Sequence, residues 1–415
     1  MKCAFAVFAL CSAVGFGQTA PRLTTLYSFQ GGSDGKFPFG LAIASGVLYG
    51  ATGSGGTGSC HRGCGTVFSL APPSSTAGAW VKTELYSFTG GADGSGPSSA
   101  IFIGQQSAGH LVLYGTTAAG GANNAGTVYS LQPPAISGGA WTETVLYSFT
   151  GGSDGGDPGS IAMATSGVLY GTARSGGTGL ACAGGCGTVF SLTPPASPST
   201  NWNEKVLYDF IGGADGWAPL NIVIGEAGVL FGITIYGGTY NNGTVFSLTP
   251  PSSSVASAWS QTVLASFNGV YGLVIGSGGI LYGTTINGGT YNGGTAFSLT
   301  PPASPGGAWT QTILHSFQTC PFSASCVEPT GIYHENFTGR LYGLTIFGGA
   351  NRVGSVYSLT PPASAGQPWI YKVLHSFNQT DGADPSSLVL TNGVLYGTTG
   401  YKGGADAGTV FSFAP

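Results

Sequence analysis

Charge is what this chain has least of. Of 415 residues, 11 are Lys or Arg and 15 are Asp or Glu, for a formal net charge of −4. A nucleic-acid partner needs a basic face, and a polybasic membrane-surface protein needs a basic cluster; this inventory supplies neither. No apolar repeat of helical period follows Ala20, so bundles and coiled coils are excluded. No long apolar run follows either, and no membrane span is expected. There is no strand-turn-helix serine elbow, no His-Glu-x-x-His and no phosphate loop. The five histidines, His61, His110, His315, His334 and His375, are scattered and form no constellation. His315 and His375 stand where other copies of a repeat have Tyr, and His334-Glu335 reads as a solvated turn pair.

What the chain has is glycine and aromatics. Gly supplies 75 residues without a Gly-X-Y period, which excludes collagen, and 42% of residues are hydrophobic, which excludes a disordered chain. A packed β protein with many tight turns remains. Its organising unit is Leu-Tyr-Gly-Thr-Thr, a Gly-rich turn, and Gly-Thr-Val-Phe-Ser-Leu-Thr-Pro-Pro, clearest from Leu113 to Pro134. The first half recurs at Leu48, Leu113, Leu169, Leu230, Leu281, Leu341 and Leu395; the second recurs at Gly65, Gly126, Gly187, Gly243, Gly294, Gly354 and Gly408.

The second copy reads as four short strands. Trp80 to Phe88 alternates, with Trp80, Tyr86 and Phe88 on one face and Val81 and Leu85 on the other. Turns then separate Pro97–Ile103, His110–Thr117 and Gly126–Leu131, and Pro133-Pro134 ends the last. With strands named a (after Asp-Gly), b (Leu-Tyr-Gly), c (Gly-Thr-Val-Phe) and d (Trp to Ser-Phe), seven copies predict a seven-bladed β-propeller of four-stranded blades. A parallel β-helix is the runner-up, but it needs caps that are not evident. The segment Arg22–Phe29 is a d strand with no blade before it, and Gly408–Phe413 is a c strand with no d after it. Pairing them closes the ring and removes two sheet edges.

Residues 1–20 read as a signal peptide: Lys2, an apolar run from Cys3 to Phe16, then small residues. One propeller domain is expected over 21–415, secreted or periplasmic, monomeric, with no C-terminal anchor. Six cysteines follow the signal in three local pairs: Cys60 with Cys64, Cys182 with Cys186, and Cys320 with Cys326. An even count in an exported chain predicts three disulfides. Zinc is the rival reading, but the pairs sit in different repeats.

The recurring Leu-Tyr-Gly-Thr-Thr, Gly-Gly, Gly-Thr-Val-Phe-Ser-Leu-Thr-Pro-Pro and Leu-Tyr-Ser-Phe segments resemble the bacterial GloVer choice-of-anchor tandem repeat, from about Leu23 to Pro415. The resemblance implies an exported protein. Members often carry a C-terminal surface-sorting segment, whereas this chain stops at Phe413-Ala414-Pro415. It implies no activity and no catalytic residues.

A propeller places its d-to-a and b-to-c turns on one face. The candidate ligand-binding residues lie in those turns: Arg62, Arg174, Trp217, Tyr240, Asn241, Tyr271, Tyr291, Asn292, Asn351, Arg352 and Lys402. Rings stack on pyranose faces and amides bond hydroxyls, so a polysaccharide or a cell-envelope protein is the expected partner. Blades five and six are expected to hold the site, where Asn268–Tyr271 has lost its Asp-Gly segment. Asp34, Asp93, Asp154, Asp215 and Asp381 are expected to be turn formers. Asp154, Asp157, Asp381 and Asp384 are the weak candidates for calcium; otherwise no cofactor is expected. Three functions are compatible with this inventory: a non-catalytic binding propeller, a polysaccharide hydrolase or lyase working with carboxylates on the same face, and an extracellular structural protein without a specific ligand.

Overall fold

The computed structural model describes residues 22–75, 78–105, 111–136, 138–196, 201–252, 258–304, 306–318, 327–364 and 366–415. The signal segment, His110, Cys320 and Cys326 lie outside them.

Seven antiparallel sheets form a ring. Strands a to d of blade I are Lys36–Ala44, Val47–Ser54, Thr66–Ala71 and Val81–Ser87. Blade II differs from the expected single inner strand: strand a comes in two pieces, Ser95–Pro97 and Phe102–Gln105, before Leu111–Ala119, Thr127–Gln132 and Thr142–Ser148. Blade III comprises Gly156–Met163, Leu169–Ser175, Thr188–Thr193 and Asn203–Asp209. Blade IV comprises Trp217–Ile224, Leu230–Tyr236, Thr244–Thr249 and Ser260–Ser266. Blade V comprises Val270–Ile275, Leu281–Thr285, Thr295–Thr300 and Thr310–Ser316. Blade VI comprises Pro329–His334, Leu341–Thr345, Ser355–Thr360 and Ile370–Ser376. Blade VII takes Ala383–Thr391, Val394–Tyr401 and Thr409–Phe413 from one end of the chain and Leu23–Ser28 from the other. Leu23 pairs with Phe413 and Ser28 with Thr409, which closes the ring as the sequence predicts.

The repeat residues weld neighbouring blades. Seven apolar clusters fill the seven junctions; the one between blades VII and I holds Phe29, Leu48, Phe68 and Val410. The last residue of each d segment is a buried Phe that meets the c-strand aromatic of the next blade. Phe149 meets Phe190 edge-on at 5.0 Å, and Phe210 meets Phe246 at 5.2 Å. Burying one such side chain is worth roughly 1.5–3 kcal/mol. The Gly of Leu-Tyr-Gly leaves room for that aromatic: a Cβ on Gly171 would lie 2.4 Å from the Phe190 ring. The tryptophans reach backward. Trp80 packs on Tyr396 of blade VII, and Trp141 on Tyr49 of blade I. At the closing junction no described Trp covers Tyr342; the Arg340 guanidinium lies over it instead, 5.9 Å from the ring centre.

Strict alternation in strand d fails in one respect. A bulge in every d strand shifts the register, in blade I between Val67/Tyr86 and Phe68/Glu84. Val81 is therefore exposed and Leu85 buried, although alternation puts them on one face.

Candidate functional site

The d-to-a and b-to-c turns share one face, and backbone bonds lock them together. The amide of Gly56 donates to Gly32 at 2.9 Å, Gly121 to Gly91 at 2.9 Å, Gly177 to Gly152 at 2.8 Å and Gly238 to Gly213 at 2.8 Å. Each Asp-Gly turn is held by its carboxylate. Asp93 accepts from the Tyr86 hydroxyl at 3.0 Å, from the Thr89 amide at 2.7 Å and from the Thr89 hydroxyl at 2.6 Å. Asp154 does the same with Tyr147 and Thr150. Asp34 and Asp215 take the Tyr27 and Tyr208 hydroxyls. His375 replaces the tyrosine in blade VII, with Nε2 3.0 Å from Asp381. These five carboxylates do turn work, as expected. Of the calcium candidates, Asp154 and Asp381 thus spend their oxygens on the turn. Among the described residues no three His, Cys, Asp or Glu side chains are grouped to hold a metal.

Of the three expected disulfides, the structure describes two. Cys60 bonds Cys64 and Cys182 bonds Cys186, closing the long turns of blades I and III. The third expected pair, Cys320 with Cys326, lies outside the described residues.

Other candidates divide by blade. Arg62 lies inside the first stapled turn. With Lys36, Phe37 and Tyr401 it lines a groove of about 410 Å³. The amide candidates are partly consumed by their own turns. Asn241 and Asn292 adopt positive φ, Asn292 accepts from Gly288 N–H at 3.0 Å, and Asn351 donates to Phe377 C=O at 2.9 Å. Arg352 also adopts positive φ. Lys402 pairs with Asp406 at 3.7 Å.

Of the aromatic candidates, Tyr240, Tyr271 and Tyr291 are exposed, whereas Trp217 is partly buried against the cluster between blades III and IV. Tyr240 is 63% exposed and Tyr291 51%. The structure adds three the sequence reading missed: Tyr236, Phe347 and Tyr401. Trp217 stacks on Tyr236, centroids 4.1 Å apart. A recess of about 650 Å³ between blades V and VI is lined by Tyr291, His315, Val327, Trp369 and Tyr371. His315 stacks there on Tyr371 at 4.1 Å. His334 departs from the solvated reading: it is buried and stacked on Tyr282.

A second grouping surrounds the ring axis. Each strand a begins at a residue with positive φ, which in six blades directly precedes a proline: Phe37, Gly96, Asp157, Ala218, Glu328 and Asp384. In blade V, Gly269 and Val270 fill the two positions. The amides of Phe37, Gly96, Asp157, Ala218, Gly269 and Asp384 bond the preceding blade, as Asp157 to Ala125 and Asp384 to Val353. Asp157 is opposed on strand b by Arg174, 2.6 Å away. Asp384 has Gly400 at the facing position, and no described residue donates to its carboxylate. Burial raises the Asp384 carboxyl above the usual range, and burial with the nearby Asp384 charge raises Glu328. The Tyr271 hydroxyl is raised by burial and by Asp384 and Glu328, with Arg174 opposing. Blades III, V, VI and VII therefore bring Arg174, Tyr271, Glu328 and Asp384 within electrostatic reach of one another.

A family model described as the Gloeobacter/Verrucomicrobia repeat matches residues 15–183, 63–274 and 269–415. The chain belongs to that family. No curated protein matches the sequence. Among solved structures, this Gloeobacter/Verrucomicrobia repeat protein is similar to the extracellular domain of a protein described as a hybrid two-component system from B. thetaiotaomicron. That match has a TM-score of 0.55 and 12% identity over 95% of this chain and 42% of the other. It is similar also to puromycin hydrolase, with a TM-score of 0.52 and 11% identity over 90% of this chain and 52% of the other. The chain thus spans about half, or less, of these neighbours' length. At such identity the likeness speaks for the fold alone. Within the repeat, Glu328 is the axial residue that sequence reading passed over. Its signal was the proline after it, shared with Asp157-Pro158 and Asp384-Pro385.

Proposed function

We propose that the protein is an exported, non-catalytic binding propeller that takes a polysaccharide on its turn face. The observation that carries this reading is the distribution of exposed rings. Tyr236, Tyr240, Tyr291, Phe347 and Tyr401 all lie exposed at the turn end of blades IV to VII. On the opposite face the one exposed ring among the described residues is Phe337. Exposed aromatics on rigid turns give a sugar ring flat apolar contact with little ordering cost. The disulfides support an oxidising compartment. No helix among the described residues is long and apolar enough to cross a membrane. The axial carboxyls favour a second reading, glycan cleavage. Acid–base hydrolysis uses two carboxyls within reach of one substrate, and Glu328 and Asp384 interact across the axis, with burial raising both.

The test is a glycan array with the mature chain, with and without chelator, alongside a turnover assay. Binding that persists in chelator and falls at least tenfold in Tyr240→Ala/Tyr291→Ala supports the first reading. Turnover abolished by Asp384→Asn supports the second. Absence of both binding and turnover overturns both and leaves a structural role.

A further inference from the structure

The second residue of strand d occupies one fixed place in six blades, opposite the same c-strand position: Lys82 faces Leu70, Glu143 Leu131, Glu204 Leu192, Gln261 Leu248, Gln311 Leu299 and Tyr371 Leu359. In blades I and IV this residue reaches under the Asp-Gly turn that enters its own blade and donates to it. Lys82 Nζ lies 2.7 Å from both the carbonyl and the carboxylate of Asp34. Gln261 Nε2 lies 3.3 Å from the Asp215 carbonyl. Blades II and III put a glutamate in the donor's place, beside Asp93 and Asp154.

An ionised glutamate has nothing to donate there. Its Oε1 is buried and without a partner in both blades. The groups facing Glu143 are Asp93 and the hydroxyls of Tyr86 and Tyr129; those facing Glu204 are Asp154 and the hydroxyl of Tyr147. Neither set contains a cation. Each aspartate already accepts a tyrosine hydroxyl, a backbone amide and a threonine hydroxyl, which holds it in the acceptor role. We infer that Glu143 and Glu204 are proton-bearing residues of the folded protein, each supplying to its Asp-Gly turn the donor that Lys82 and Gln261 supply elsewhere. Two protons thereby hold the turns on the disulfide-bearing side of the turn face.

Burial and the aspartate charge push both carboxyls up to about 7. A carboxyl raised above its unfolded value stabilises the fold fully below about 4.5 and loses that contribution as pH rises to about 7. Above that pH two carboxylates face each other at each turn, while the Lys82–Asp34 junction keeps its pairing.

The experiment compares wild type with Glu143→Gln/Glu204→Gln by denaturant unfolding at pH 5 and pH 8. Gln donates without a proton to lose. The expected result is equal stability at pH 5 and a more stable variant at pH 8. Parallel pH curves overturn the inference. If the variant does not fold, isotope-edited titration of the glutamate carboxyl carbons in wild type decides. Two glutamates titrating near neutrality support it, and all glutamates titrating below pH 5 overturn it.

Discussion

In blades I and III a disulfide closes the b-to-c turn; in blades IV to VII the same end of the blade carries an exposed ring. The strands beneath are built alike, with the same Leu-Tyr-Gly packing and the same buried Phe. What differs is how a turn too glycine-rich to order itself is fixed. One side uses covalent closure and Asp-centred bonding. The other leaves aromatic side chains in water and loses the Asp-Gly turn at Asn268 and again before Val327. Repetition secures the scaffold, and the turns are released to vary.

Three experiments break or sharpen that contrast. The largest effect should ignore it. Phe149→Ala empties a buried place between blades II and III, and Phe267→Ala does so between IV and V. Each should destabilise by roughly 3–5 kcal/mol in denaturant titration. A large gap between the two would show that the halves differ in their core as well as in their turns. Next, Cys182→Ala/Cys186→Ala removes a short closed loop and should cost about 2 kcal/mol by the same measurement. Glycan affinity should stay within twofold, because the exposed rings lie on other blades; a tenfold loss would merge the two regions into one site. The smallest stability effect belongs to Tyr240→Ala, within about 0.5 kcal/mol of wild type, since an exposed side chain leaves no cavity. A larger loss would mean that the ring is a structural cap.

The fold was legible because the signal repeats. Leu-Tyr-Gly and Gly-Thr-Val-Phe recur in register, and the odd d strand at Leu23–Ser28 told where the ring closes. The Asp-Gly turns were legible for the same reason. The site was only half legible. Tyr240 and Tyr291 were legible as exposed turn rings because a Tyr-Asn turn is conspicuous. Glu328 was not, because its neighbours Tyr271 and Asp384 come from other blades and meet only once the ring is formed. Asn292 and Asn351 show the ambiguity of such residues: an amide suited to a sugar hydroxyl is equally suited to a turn carbonyl or amide, and each of these two makes one backbone bond. The partner of each Trp was invisible for a similar reason, since Trp141 and Tyr49 belong to successive repeats.

The seam in blade VII sets a schedule for assembly. Leu23–Ser28 is synthesised before any complete blade, and its partner Thr409–Phe413 after six of them. Those six draw all four strands from consecutive sequence and can form as the chain emerges. The seventh waits for Thr409–Phe413, the most non-local pairing the molecule makes. Until then Leu23–Ser28 and Thr409–Phe413 are both open edges, able to pair with a neighbouring molecule. A chain interrupted before Thr409 leaves the first strand unpaired and presents a sticky, protease-accessible end. The seam therefore acts as a completeness check: only a chain that carries both strands completes the seventh blade.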